Sequence, residues 1–168
     1  MTERSPAPGD LALVEALVNT LDIESGADAL DRPEVRERLG ITADDIDPAR
    51  TLRESLRATL LAHAGHPPHR AVTPLGELLA GAPLLVTVDT ADGSAALAPA
   101  HDDSLHARVA AAVAESLVAG TWTRLKACEA ADCHWAYYDR SPAGRGRWCS
   151  MQVCGARAKM RRYRAKGA

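Results

Sequence analysis

The four cysteines of the chain are its clearest candidates for chemistry. They form two pairs of the same kind, Cys128 with Cys133 and Cys149 with Cys154, and each pair encloses four residues. Two short cysteine loops joined by a fifteen-residue spacer can surround one metal ion, to which each pair contributes two thiolates. Zinc suits four thiolates because it is a borderline-soft ion without redox chemistry. The pattern therefore predicts one structural zinc that leaves no coordination position open for catalysis.

The spacing within each pair leaves other interpretations open, because two intervening residues are commoner in zinc sites than four. The same thiols could form two disulfides, hold an iron–sulfur cluster or stay free and buried. Disulfides are disfavoured in the cytoplasm, where thiols stay reduced. We expect this location because the N-terminus lacks an apolar run of signal-peptide length and no apolar segment is long enough to span a membrane.

The size of the C-terminal segment also favours a metal. Residues 121–168 are rich in arginine and contain few large apolar side chains. A core that small rarely supplies more than a few kcal/mol, whereas structural zinc contributes roughly 10–16 kcal/mol of apparent binding free energy in small fingers. We expect aromatic and methionine side chains to pack around the metal loops as a minimal core, namely Trp135, Tyr137, Trp148 and Met151.

Charge divides the chain into two parts. Residues 121–168 hold 11 Lys and Arg against 3 Asp and Glu, a net charge of 11 − 3 = +8. Residues 1–120 hold 9 Lys and Arg against 19 Asp and Glu, a net charge of 9 − 19 = −10. The two values sum to the −2 of the whole chain. This asymmetry indicates that the C-terminal part, and not the N-terminal part, contacts nucleic acid.

The cations of the C-terminal part fall on a predicted helix that follows Cys154. Arg157, Arg161 and Arg164 form one stripe at helical spacing, and a second stripe consists of Lys159, Arg162 and Lys166. A third, apolar face of Ala156, Met160 and Tyr163 is predicted to dock on the metal loops. Such a helix can neutralise phosphates in a nucleic-acid groove, although arginine-rich ends are also often plain solvated surface. The loop between the cysteine pairs adds three cations to the patch, Arg140, Arg145 and Arg147.

The first 120 residues predict a mostly helical α+β domain. Apolar periodicity and breaker residues indicate helices over 10–21, 33–39, 48–64, 73–80 and 102–119. Asp47 is predicted to cap the third of these helices, and Asp102 or Asp103 the last. Two strand-like runs, 84–89 and 94–98, flank a turn at Asp92-Gly93 and predict one small β-hairpin. The fold class is therefore α+β, with a cysteine-rich knuckle and a basic helix after the N-terminal domain.

The N-terminal domain offers little that resembles an active site. The sequence contains no phosphate-binding loop, nucleophile elbow or catalytic triad, so we do not expect an enzyme. Asn19 and Thr20, at the end of the first predicted helix, are candidates to line a small-molecule pocket. The alternative, that they are ordinary helix-end residues, is favoured.

The run RLKACEAADCHWAYYDRSPAGRGRWCSMQVCGARAKMRRYRAK, from Arg124 to Lys166, resembles the CGNR zinc finger. That family combines two cysteine pairs, a Trp-Cys-Ser-Met stretch and a Cys-Gly-Asn-Arg signature followed by a basic helix. In this family the finger follows an ABATE domain, whose opening the segment LALVEALVNTLD resembles. The resemblance divides the chain into an ABATE-like domain, residues 1–122, and the finger with its helix, residues 123–168.

The resemblance implies a stress-related bacterial transcription regulator. By similarity the four cysteines bind zinc, and Gly155, Arg157 and Lys159 match the signature and its basic helix. The signature Asn is Ala156 in this chain, which removes any base or backbone contact from that side chain. We expect DNA as the partner, with an adaptor that binds RNA or an acidic protein as the alternative. A homodimer stays open, because many regulators read two half-sites.

Overall fold

Three helices show the apolar periodicity seen in the sequence, and each of them buries one face. A computed structural model describes residues 5–101 and 103–166. The elements of this part, in chain order, are α1 (Leu11–Val18), a 3₁₀ turn (Ala29–Asp31), α2 (Pro33–Leu39), α3 (Ile46–His63), α4 (Leu75–Leu79), β1 (Leu84–Val88), β2 (Ala95–Pro99), α5 (Leu105–Val118), a 3₁₀ turn (Trp122–Arg124), β3 (Leu125–Ala127), β4 (Ala136–Tyr138), a π-helical turn (Met151–Gly155) and α6 (Ala156–Lys166). The fold class is α+β, as predicted.

The main core lies where α1 packs against α3 and α5. α1 contributes four buried residues, Leu11, Val14, Leu17 and Val18. α3 and α5 add leucine, valine and alanine side chains at helical spacing. The apolar side of α5 is buried only in part, because Val109 is inaccessible whereas Leu117 is 58% exposed. The core is therefore built from aliphatic side chains, in agreement with the scarcity of aromatic residues.

Helix boundaries follow local capping chemistry, which differs at two positions from the prediction. α3 begins at Ile46, and Asp47 lies inside its first turn, where it pairs with Arg50 at 3.3 Å instead of capping the helix. α5 begins at Leu105, and the Ser104 hydroxyl accepts the amide of Ala107 at 3.2 Å. Ser104 is thus the N-cap in place of Asp103, and Asp102 lies outside the described residues.

The predicted β-hairpin is present. β1 and β2 pair in antiparallel register, with Val86 opposite Leu97. The turn closes through two backbone bonds between Asp89, Gly93 and Ser94, and the Asp92 carboxylate accepts the amide of Ser94 at 2.8 Å. The hairpin packs against α5. No helix within residues 5–101 and 103–166 is long and apolar enough to cross a membrane.

A largely buried cluster of charged side chains crosses this apolar core. The Arg57 guanidinium on α3 is fully buried and pairs with Glu54 at 3.1 Å. Its two remaining nitrogens donate to the carbonyl oxygens of Val18 and His134, each at 2.8 Å. Val18 ends α1, whose last carbonyls lack partners within the helix. Arg57 therefore joins α3, the end of α1 and the first cysteine loop at one point.

Glu54 extends this cluster in the other direction. Its carboxylate also pairs with Arg53 at 2.7 Å and His69 at 2.9 Å, and Arg53 continues to Asp28 at 2.8 Å. Burial raises the pKa of Glu54, but the charges of Arg57 and Arg53 outweigh it, so the net pKa is lowered. Glu54 thus stays ionised between its two arginines. This buried network was not predicted from the sequence.

The C-terminal segment shares the core of the N-terminal helices. Trp122, Leu125, Ala127 and Ala136 belong to the same buried apolar cluster as the leucines of α1 and α3. β3 packs along α3, and β4 contacts α1. The predicted division at residues 122 and 123 stays a prediction, and apolar packing is continuous across it.

Replacing Arg57 tests how much the fold depends on this cluster. We expect Arg57→Ala to lower the free energy of unfolding by about 3–5 kcal/mol. The substitution removes one charged partner of the buried Glu54 carboxylate and leaves the carbonyl oxygens of Val18 and His134 without their hydrogen-bond donor. Urea denaturation followed by circular dichroism measures the change. The control is Arg38→Ala on the exposed face of α2, which we expect to change stability by less than about 0.5 kcal/mol. Equal stabilities of the two variants would contradict the role assigned to Arg57.

Candidate metal centre

The first cysteine pair is positioned by the antiparallel strands β3 and β4. Cys128 follows β3 directly, and its amide donates to the carbonyl of Trp135 at 2.9 Å, which extends the ladder by one bond. The loop then turns back on itself, because the amides of Cys133 and His134 both donate to the Ala130 carbonyl. His134 adopts a left-handed backbone conformation with φ 49°, and its ring Nδ1 lies 2.9 Å from the carbonyl oxygen of Cys128.

The second pair is positioned by the π-helical turn. The Ser150 hydroxyl accepts the amide of Val153 at 3.3 Å, and the Ser150 carbonyl accepts the amide of Gly155 at 3.0 Å. A side chain at Gly155 would approach the Met151 sulfur to 3.2 Å and the Trp148 ring to 3.3 Å. A larger residue at this position would require the Met151 side chain or the indole to shift by a few tenths of an ångström. Cys154 is buried beneath this turn.

The four sulfur atoms meet at one point. All four lie within 4.8 Å of one another, with Cys133 and Cys149 at 3.6 Å and Cys149 and Cys154 at 3.7 Å. Zinc–thiolate bonds of about 2.3 Å in a tetrahedron place sulfur atoms about 3.8 Å apart. The observed separations fit this value, so the site suits a single zinc ion held by four cysteines.

The same geometry decides between the alternative cysteine chemistries. All four cysteines are free, and the sulfur separations far exceed the 2.03–2.05 Å of a disulfide bond. Sulfur atoms this close enclose room for one ion rather than for a multinuclear iron–sulfur cluster. One structural zinc is therefore the cofactor that these residues fit.

Electrostatics supports the need for a cation. Hydrogen bonding from Cys133 and Cys149 lowers the pKa of Cys128 to about 2. The hydrogen bonds that Cys133 and Cys149 form with Cys128 raise the pKa of both thiols, that of Cys149 to about 12. Burial raises the pKa of Cys154. Once one thiol has ionised, the others resist ionisation. Four thiolates at this spacing require a dication, and a bound zinc supplies that charge.

The loop between the cysteine pairs is organised by a buried ion pair. Lys126 on β3 contacts Asp139 at 2.9 Å and also donates to the carbonyl of Gly144 at 2.5 Å. Asp139 accepts the amides of Ser141 at 3.0 Å and Gly146 at 2.7 Å. Burial raises the pKa of Asp139, but the hydrogen bonds from Lys126 and Ser141 outweigh it and lower the pKa well below the ordinary value. The carboxylate therefore stays ionised and fixes both ends of the loop.

The structure divides the predicted nucleic-acid-binding cations into two groups. Four of them contact the protein itself. Arg147 pairs with Glu129, Arg157 with Glu24 and Asp132, and Arg161 with Asp132, whereas Arg140 donates to the carbonyls of Ser5 and Pro6. The other five are exposed and form no ion pair with any described residue, namely Arg145, Lys159, Arg162, Arg164 and Lys166.

The predicted docking face of α6 is wrong. Met160 and Tyr163 are 51% and 75% exposed, and Ala156 is also exposed. The buried residue of the helix is Ala158. Arg157 and Arg161, which flank this residue on the helix, form ion pairs with Glu24 and Asp132. The apolar stripe consequently faces solvent.

The candidate pocket residues Asn19 and Thr20 bond within the protein. The Asn19 amide pairs with both backbone groups of Ala136 on β4, at 2.7 and 3.0 Å, as a neighbouring strand would. The buried Thr20 hydroxyl donates to the Leu17 carbonyl at 2.7 Å and accepts from Arg53 at 3.1 Å. A ligand at this position would have to displace these bonds, and the pocket stays a prediction.

In comparison with known families, residues 124–167 match the family model of the CGNR zinc finger. The match covers all four cysteines, the loop between the pairs and α6. It does not extend into the N-terminal part, where the resemblance to an ABATE domain stays a prediction. No curated protein gives a significant match to the chain.

The metal centre predicts a specific zinc stoichiometry. We expect one zinc per chain in the parent protein and loss of that zinc in Cys149→Ser, because a tetrahedral site loses one of its four ligands. Elemental analysis of the purified proteins measures the content. The matched control is Val153→Ser, which changes a half-exposed residue of the same turn that is not a ligand and should retain the metal. A full zinc equivalent in Cys149→Ser would exclude a four-cysteine site.

Proposed function

We propose that this chain is a zinc-dependent DNA-binding transcription regulator whose N-terminal domain senses a signal or mediates dimerisation. The observation that carries the proposal is the position of α6. The helix is anchored to the metal centre at one end and presents unpaired cations along its exposed side. The resident zinc supplies the rigidity of the finger, and the side chains of α6 supply the contact with DNA.

The anchoring of α6 is direct. The π-helical turn that contains Cys154 continues into the helix without a linker. Arg157 reaches Glu24 at 3.2 Å and Asp132 at 3.8 Å, so the first turn is also tied to the N-terminal domain and to the first cysteine loop. The direct connection to the metal loops limits the directions in which the helix projects, and the exposed ion pairs of Arg157 add a weak contact. A helix held in this way loses less entropy when it binds a groove.

The exposed cations suit a phosphate backbone. Lys159, Arg162 and Lys166 recur at intervals of three and four residues and therefore share one helix face. The 11-residue helix is about 16 Å long and, with its side chains, about 10–12 Å across, a diameter that fits the roughly 12 Å width of a DNA major groove. Each neutralised phosphate releases counterions, so this face supports salt-dependent binding.

The N-terminal domain suits a different task. Its net charge of −10 repels a polyanion, which confines DNA contact to the finger. We assign it no catalytic step, and a role in sensing or homodimerisation completes the proposed regulator. A DNA target places the protein in the cytoplasm, where the four thiols stay reduced for zinc.

A second candidate function rests on the exposed apolar stripe of α6. Met160 and Tyr163 lie between cationic residues, and a basic amphipathic helix of this kind can dock on an acidic protein or on RNA. In this case the chain acts as an adaptor. Competition between duplex DNA and RNA for binding to α6 distinguishes the two functions.

Paired substitutions on α6 test DNA binding. We expect the double variant Lys159→Ala/Arg162→Ala to bind random duplex DNA more weakly, and the slope of log affinity against log salt to fall by roughly 0.9 for each phosphate that the variant no longer neutralises. Fluorescence anisotropy across a salt series measures both. The control, Arg32→Ala/Arg38→Ala, removes two exposed arginines from the N-terminal domain and should leave the slope unchanged.

The same assay separates the two candidate functions. Chelation of zinc should abolish DNA binding, and excess RNA should compete poorly if the chain is a DNA-binding regulator. Failure of the zinc-loaded parent to bind duplex DNA at low salt would refute the proposal. Strong competition by RNA would favour the adaptor.

A further inference from the structure

The loop between the cysteine pairs encloses a groove that the proposed function does not use. It has a volume of about 760 Å³, within the range of ligand-binding pockets. Three aromatic residues and three arginines contribute to its lining, namely Tyr137, Tyr138, Trp148, Arg140, Arg145 and Arg147. The combination of aromatic surface and cations is typical of sites that bind nucleotides.

The groove is formed in advance of any ligand. The buried pair of Lys126 and Asp139 holds the loop from below, and the Tyr137 hydroxyl donates to the Gly146 carbonyl at 2.8 Å. A side chain at Gly146 would approach the Asp139 carboxylate to 2.9 Å, so only glycine allows the loop to close over this carboxylate. A loop held in this way binds a ligand without a large ordering cost.

The charge of the groove is positive. Its one lining carboxylate, Asp139, is buried and neutralised by Lys126. Arg145 is exposed and forms no ion pair with the part of the chain that the structure describes. A second groove, of about 560 Å³ along α6, contains two carboxylates, Glu129 and Asp132, which pair with Arg147 and Arg161 and leave Arg162 without an ion pair among the described residues. Arg147 also lines the loop groove and is paired with Glu129 there too, so two lining arginines of the loop groove, Arg140 and Arg145, meet no carboxylate of the described residues. The loop groove, whose one carboxylate is buried and paired with Lys126, is therefore the better site for an anion.

The aromatic rings of the groove carry arginine on their faces. The Arg140 guanidinium lies 5.1 Å from the centre of the Tyr138 ring, and that of Arg147 lies 5.3 Å from the Trp148 ring. Guanidinium planes and aromatic rings are the surfaces on which unstacked bases are bound. The two cation–ring pairs thus offer platforms for a base, with Arg145 at the rim for its phosphate.

From these observations we infer that the loop groove binds an unpaired nucleotide of DNA, whose base stacks on the Trp148 and Arg147 pair and whose phosphate contacts Arg145. This inference rests on the proposed function and deepens it. Trp148 and Arg147 line both grooves, so a base displaced from a duplex on α6 lies next to the loop groove. The finger would then prefer duplexes with a locally opened base pair.

The experiment compares two duplexes that differ by one bulged, unpaired base, each titrated into the zinc-loaded full-length protein. We expect the bulged duplex to bind about tenfold more tightly, in line with the stacking of one base, and to quench tryptophan fluorescence. Trp148→Phe should remove the quenching, which separates Trp148 from Trp122 and Trp135. Zinc content and melting temperature confirm that each variant is folded.

Two arginine variants test whether the loop groove is responsible for the preference for the bulged duplex. Arg145→Ala, at an exposed position whose side chain forms no ion pair with the described residues, should weaken binding of the bulged duplex far more than binding of the intact duplex and so abolish the preference for the bulge. Arg162→Ala on α6 should weaken both duplexes equally. Equal affinity of the parent for both duplexes would overturn the inference and leave the proposed function standing. Absence of binding to either duplex at low salt would overturn both.

Discussion

A guanidinium without access to water joins the parts of this chain. Burying a charge is costly unless it is paired and its remaining donors are satisfied. Arg57 meets both conditions, with Glu54 as the counter-ion and with the carbonyls of Val18 and His134 as acceptors. Each acceptor belongs to a different segment, so the cost is offset only when α1, α3 and the first cysteine loop are all in place. The cluster thereby specifies one arrangement of the N-terminal helices and the finger.

The structure shows which of the positive charges in the C-terminal part are paired within the protein. Part of the positive charge is used internally, because Arg147, Arg157 and Arg161 meet carboxylates on neighbouring segments. These ion pairs are exposed and contribute little to stability, but they orient α6 and the loop. The exposed cations of α6 and the loop that remain form no ion pair with the residues that the structure describes. The number of arginines in the finger therefore overstates the charge that is free to meet a polyanion.

The features that depend on local chemistry could be predicted from the sequence. Cysteine spacing indicated the metal site, and the Asp92-Gly93 turn indicated the hairpin. Features that depend on tertiary contacts could not be predicted. A buried arginine on α3 looks like an ordinary exposed residue of an amphipathic helix, and Asn19 gives no sign of pairing with a strand far along the chain. The exposed face of α6 was misassigned because apolar spacing does not show the direction in which a helix leaves its preceding turn.

The position of His134 explains why the metal and the N-terminal core are coupled. This residue follows the ligand Cys133, its ring contacts the carbonyl of Cys128, and its own carbonyl accepts Arg57. Its left-handed backbone conformation is uncommon for a residue other than glycine and needs support from both sides. Leu125 and Ala127, which lead into the first ligand, lie in the core of the N-terminal helices. Loss of zinc therefore withdraws support from a contact on which α1 and α3 also depend. By linkage, the coupling free energy is the same in both directions: the stability that bound zinc adds to the N-terminal core equals the zinc affinity that an intact core adds to the metal centre.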